Sequence, residues 1–420
     1  MAETGFRSGI PPRARLRMAD RPRRPAGLSK ERKSSCLIQK VWKGNVIDTK
    51  DIIRAADAIA ARKAVMRTKK FLVGFDGFVD EIIHAVATRK NNHEYQRIET
   101  ITEFAGRIAS AAGKSANIEL VPVLEKLGGN GPLMAMAAAG MGAQVTCIGM
   151  LGYPEIHPVF KPLKSICKVV SVGIPGHTDA LEFHDGKLML GKLNTIKDMC
   201  WQRLLEVVGE PVMRELFFLS DMVACTNWTM LTEMEEIIEN ITHMVPEGCK
   251  VKFFFDLADP EKRSRSDLSR VLEQIRALSK KTEVILGLNL REAEQVSAVL
   301  GIALKPEESA KGVEAAAVRV RERLGIGGVV VHAIKYAGAC IGADSAGIEG
   351  PYCPSPKLST GAGDHFNGGF CGGIMADLPV LDALYSGVGA SGWYVRNGRS
   401  PTSEDIVGLL KAWGAGALKD

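Results

Sequence analysis

The stretch Ser359-Thr360-Gly361-Ala362-Gly363-Asp364-His365-Phe366-Asn367-Gly368-Gly369-Phe370 holds the densest chemistry in this 420-residue chain. Gly361, Ala362 and Gly363 are small enough for backbone amides to come close to a ligand. Phe366, Phe370 and Ile374 then recur at the spacing of one helix face. A glycine loop that opens a helix presents unpaired N–H groups and the positive end of the helix dipole, a seat for phosphate or another oxyanion. A carboxylate in that seat repels an anion, so Asp364 needs another task. Taking the proton from a hydroxyl as it attacks phosphorus is such a task.

Other polar groups stand at similar places. Asp76 and Asp80, in Gly74-Phe75-Asp76-Gly77-Phe78-Val79-Asp80, follow a predicted strand. Carboxylates there accept hydrogen bonds either from sugar hydroxyls or from the amides of a turn. Gly128-Gly129-Asn130-Gly131 opens a helix of small residues, Ala135–Ala139. Asn289-Leu290-Arg291-Glu292 has the spacing of a capping box, and its oxygens also suit the water shell of Mg²⁺. Gly113-Lys114-Ser115 ends like a P-loop, but Ile108 stands where that motif needs glycine. Gly140-Met141-Gly142 has Val145 where a dinucleotide fingerprint needs its third glycine.

The elements that must position these groups alternate. Short apolar runs predict strands at Lys70–Phe75, Gln144–Met150, Met222–Thr226, Lys250–Asp256, Glu283–Leu288 and Val329–Ala333. Helical periodicity falls between them, at Gly131–Gly140, Leu231–Met244, Ser266–Lys280, Arg291–Leu300 and Val313–Leu324, and before them over Asp48–Arg67. This alternation predicts a doubly wound α/β fold with a mostly parallel sheet, in which ligands gather at the carboxyl ends of strands. Residues 80–104 and 168–193 break the pattern and read as further strands. Asp185-Gly186 sets a hairpin between His177–His184 and Lys187–Lys192.

Taken together and in this order, the motifs resemble the ribokinase-like carbohydrate kinases of the phosphofructokinase-B type, over roughly residues 68–415. Gly361-Ala362-Gly363-Asp364 is the most specific element. The resemblance implies a central sheet flanked by helices, with a small discontinuous β-lid from about 80–104 and 168–193 that closes over the sugar and supplies a homodimer contact. It implies ATP and Mg²⁺ as cofactors, Asp364 as general base, Gly361, Ala362 and Gly363 as catalytic positions beside it, and the amides of Ala362, Gly363 and Asp364 around the transferring phosphoryl group. Asp76, Asp80, Gly128, Gly129, Asn130 and Asn227 correspond to acceptor contacts. Asp256, Asn289, Gly338 and Asn397 correspond to nucleotide contacts, with Asn289 and Glu292 in the outer shell of the metal. The chain departs from the family at Leu133, where an Asn is common, and at His332 and Ile334 in the nucleotide segment that contains Gly338. The acceptor stays open among a sugar, a sugar phosphate and a nucleoside, and a non-catalytic ligand sensor of the same fold remains an alternative.

Composition bounds the reading. The formal net charge of +6 is concentrated in residues 1–40, which carry a surplus of eight positive charges, while the remainder sums to −2. A near-neutral body predicts no nucleic-acid partner. No apolar run reaches the length of a membrane span, so no membrane partner is expected. Nine scattered cysteines without a C-x-x-C pair predict a reducing cytoplasm and no zinc site. Residues 1–45, rich in Arg and Pro, are expected to form a disordered extension ahead of a kinase domain over 46–420.

Overall fold

The computed structural model describes residues 49–304 and 307–418. The extension expected over residues 1–45 lies outside them. Fourteen strands occur among the described residues. They are β1 (Lys70–Phe75), β2 (Phe78–Arg89), β3 (Tyr95–Arg97), β4 (Leu120–Gly128) and β5 (Gln144–Gly149). Then come β6 (Lys168–Ser171), β7 (Gly176–Phe183), β8 (Gly186–Lys192), β9 (Met222–Cys225) and β10 (Lys252–Asp256). The last four are β11 (Val284–Asn289), β12 (Gly328–His332), β13 (Tyr336–Ile341) and β14 (Asp344–Glu349).

Nine of them form one sheet in the order β14-β13-β12-β11-β10-β9-β1-β5-β6. The seven strands from β12 to β6 run parallel, and β13 and β14 extend the sheet as an antiparallel hairpin. Alternation along the strands of the large sheet divides most of their side chains between two helical layers. Phe253 and Phe255 join the core under Met234–Met244, Arg265–Ser279 and Ala310–Leu324, whereas Phe254 joins the core under Thr49–Ala61, Asn130–Gly140, Ala362–Met375 and Val380–Asn397. Strands buried on both faces need no polar alternation, which is why they read as continuous apolar runs.

The second sheet has five strands. Its order is β3-β2-β7-β8, and β4 pairs with β2. The predicted hairpin is present, with Phe183 opposite Gly186. Several elements differ from expectation. β4 was not foreseen, because Pro122 weakens a strand signal; it pairs only with β2, and an edge strand tolerates the missing donor. Residues Ile101–Ser110 form a helix instead of a strand, capped by the Thr100 hydroxyl on the Glu103 amide. Lys168–Ser171 belongs to the large sheet, beside β5, so the second part of the small sheet begins at Gly176. Near the start, the single helix expected over Asp48–Arg67 is split into Thr49–Ala61 and Lys63–Met66.

Candidate active site

Asp364 sits in the first turn of the helix Ala362–Met375. Gly361 precedes it at φ +91°, a conformation in which a side chain is strained. A Cβ there would fall 2.8 Å from Leu133 Cδ1 and 3.1 Å from the Tyr394 hydroxyl. The loop is clamped from behind. Tyr394 donates its hydroxyl to the Thr360 carbonyl at 2.9 Å. Nδ1 of the fully buried His365 lies 2.7 Å from the Gly361 carbonyl, and Nε2 lies 2.8 Å from Ser400 Oγ. A carbonyl only accepts, so Nδ1 carries the proton and Nε2 accepts from the serine. The two rings stack with centroids 3.7 Å apart. The Ala362 amide closes the turn on the Ser359 carbonyl at 3.1 Å. The amides of Gly363 and Asp364, in the first turn, carry no such bond among the described residues and stay open for an oxyanion, whereas the Ala362 amide is engaged.

Asn130 donates its side-chain amide to Asp364 Oδ1 at 2.8 Å, which joins the loop after β4 to the helix start. Gly129 allows this approach at φ +99°. Asp76 holds the loop in place. It is fully buried, and it accepts from the amides of Asn130 and Gly131 at 2.8 and 2.7 Å and from the Asn227 side chain at 2.8 Å. Its oxygens are occupied by protein donors, so the expected hydroxyl contact is replaced by a scaffolding one. Asn227 is likewise buried, with its amide on Asp76 and its carbonyl accepting from the Met230 amide. Asn227, Ala258 and Asp259 all adopt positive φ. They lie just past the carboxyl ends of β9 and β10, where strained backbone often marks a functional site.

Further carboxylates surround Asp364. Asp256, at the end of β10, accepts from the Asn367 side chain at 2.7 Å and from the Ala258 amide at 2.9 Å. Glu292 accepts from the Asn289 and Asp259 amides, both at 2.8 Å, and Asn289 accepts in return from the Glu292 amide. The capping box is thus real and also buries an acid. Burial, followed by the Asp256 carboxylate, pushes Asp364 well above the usual carboxylate range. Burial, followed by Glu292, raises Asp256 in the same way. These donors are all oxygen, and the buried Asn367 Oδ1 lacks a partner among the described residues. Such a set fits a hydrated Mg²⁺, whose charge would offset the mutual repulsion.

Asp80 reaches the same area from β2. Its carboxylate lies against Gly128, where an added Cβ would fall 2.6 Å from Asp80 Cγ. Two of the expected nucleotide contacts, Gly338 and Asn397, make local contacts of their own. A Cβ on Gly338 would fall 2.4 Å from the Glu314 amide, so that glycine serves close packing of β13 on the helix Ala310–Leu324. Asn397 donates to the Trp393 carbonyl and lines a surface cavity of about 690 Å³ with Lys357 and Arg396, which none of the residues around Asp364 lines. His332 does flank the anion loop, its ring 4.9 Å from that of Phe366, and burial pushes its pKa down to about 4. His365, Tyr394 and Asn367 were missed. Asn367 alone left a signal, as a polar residue three positions after Asp364 on an apolar helix.

The family model for prokaryotic ketohexokinase matches residues 48–413. A ketohexokinase of Haloferax volcanii is 28% identical over 358 residues, covering 83% of this chain and 92% of that protein. Ribokinase from Cryptococcus neoformans in complex with ADP superposes with a TM-score of 0.57 at 17% identity, over 81% of this chain and 99% of that one. Phosphofructokinase-2 from Escherichia coli gives 0.56 at 14% identity, over 83% and 99%. At such identities the structural likenesses speak for the fold.

Proposed function

Because this chain belongs to the prokaryotic ketohexokinase family, we propose that it moves the terminal phosphoryl group of ATP to a hydroxyl of a ketohexose. Membership makes it a carbohydrate kinase of the ribokinase fold. No helix among the described residues is long and apolar enough to cross a membrane. The observation that carries the reading is the Asp364 carboxyl at a glycine-led helix start, held 2.8 Å from the Asn130 amide.

Asp364 accepts the proton of the attacking hydroxyl. Its raised pKa favours this, since burial makes the carboxylate a stronger base than an exposed one. The Gly363 and Asp364 amides, at the positive end of the helix dipole, stabilise the charge that grows on the transferring group. Bound Mg²⁺ would neutralise phosphate charge during the transfer. Asp256, and Glu292 with Asn289 through water, would hold it. Asp80, Gly129 and Asn130 hold the acceptor, while Asp76 and Asn227 keep the loop rigid. The small sheet acts as a lid that excludes water, the competing nucleophile, and carries a homodimer contact.

ADP release over a panel of ketohexoses, aldoses, sugar phosphates and nucleosides tests this. Turnover with a ketohexose, dependent on Mg²⁺ and lost in Asp364→Asn, is expected. Turnover confined to nucleosides or sugar phosphates rejects the assigned acceptor.

A further inference from the structure

Strand register puts Asp80 of β2 opposite Lys126 of β4 on one side and Thr178 of β7 on the other. Directly paired residues share a face, so the three side chains stand together on the face that Gly128 leaves open toward Asp80. From Gly128 the chain runs two residues to Asn130, which touches Asp364. Thr178 is buried beside Asp80. Lys187, also nearby, is already paired with Glu182 at 2.9 Å. Lys126 is half-buried, and among the described residues its ammonium has no hydrogen-bond or ion-pair partner. Burial, followed by Lys187, lowers its pKa, and burial raises that of Asp80, so both are short of solvation.

We propose that Lys126 is a specificity-determining residue of the acceptor site, where its ammonium donates to one hydroxyl of a vicinal diol whose neighbour donates to Asp80. This deepens the reading of the site as one for a sugar and rests on it. A donor and an acceptor side by side on a strand pair match adjacent hydroxyls, each of which both donates and accepts. The face carries Lys126 and Lys187 against Asp80 and Glu182, so it is balanced in charge. An anionic acceptor would meet the Asp80 carboxylate, so the geometry favours a neutral polyol.

The test is a cycle between Lys126→Met and a series of deoxy analogues of the ketohexose, each lacking one hydroxyl. Methionine keeps the length of the stem and removes the charge. The variant is expected to melt close to the wild type, to keep its KM for ATP within about twofold, and to raise the sugar KM about 10- to 100-fold, the effect of one charge-assisted hydrogen bond. One analogue should show a similar loss with the wild-type enzyme and no further loss with Lys126→Met. Lys126→Arg should recover part of the affinity. A sugar KM unchanged in Lys126→Met, or equal losses across all analogues, overturns the inference while leaving the kinase reading intact. If the wild type turns over other neutral sugars but no ketohexose, the assigned acceptor falls, and the same cycle run on the accepted sugar decides the role of Lys126. A wild type that takes only anionic acceptors overturns it outright.

Discussion

Asp364→Asn separates the chemistry of the site from its stability. The amide oxygen of asparagine still accepts from Asn130, so the geometry at 2.8 Å is retained. What is lost is basicity and charge. Loss of a general base lowers kcat about 10²- to 10⁴-fold, equivalent to about 3–5 kcal/mol of barrier. Stability should move the other way. The folded state raises the pKa of Asp364, so it disfavours the ionised form. That penalty is absent at low pH, begins as pH rises above the ordinary value of 3.8, and grows until the folded pKa is passed. The asparagine variant should therefore be the more stable near neutral pH, by about 1 kcal/mol or more, and the advantage should shrink toward pH 4. ADP release under saturating sugar and ATP gives kcat, and urea midpoints at pH 5 and 8 give the stability difference. A variant with kcat within tenfold of wild type removes Asp364 from its role. One that is less stable than wild type at pH 8 refutes the account of a carboxylate strained by its neighbours.

Gly361→Ala would strain the backbone at φ +91° and crowd Leu133 and Tyr394; it should cost about 1–3 kcal/mol by thermal melting and lower kcat, and normal values in both would argue against a rigid loop. Glu292→Gln keeps the side-chain length but weakens its grip on the Asn289 and Asp259 amides. A Mg²⁺ titration should shift several-fold upward with a stability loss of about 1 kcal/mol, and an unchanged titration would confine Glu292 to capping. His365 is fully buried, and its pKa is pushed from 6.5 to about 4, mainly by burial. Its neutral form is the one the fold accommodates, so stability falls as pH drops from 6.5 toward 4. From this residue alone urea unfolding at pH 5 should show about 2 kcal/mol less stability than at pH 7.5, and His365→Phe should flatten that slope; an unaltered slope would assign the acid sensitivity elsewhere.

Local rules made much of the molecule legible from its sequence. The Gly361–Asp364 turn, the Asn289–Glu292 capping box and the Asp185-Gly186 hairpin each depend on φ angles, dipoles and hydrogen bonds among near neighbours, and a few adjacent letters suffice to specify those. The apolar runs that became β1, β9, β10, β11 and β12 were visible for a related reason, since burial on both faces leaves no room for polar residues. Chain folding alone decided which face of β2 meets which residue of β4. It turned Asp76 from a ligand contact into the anchor of a loop, committed the Gly338 position to a helix, and placed His365 and Tyr394 behind the anion seat. It also set Lys126 beside Asp80 across 46 positions of sequence. Pairings at that range follow from strand register and from competition for buried hydrogen bonds, and these exist only once the sheets have closed.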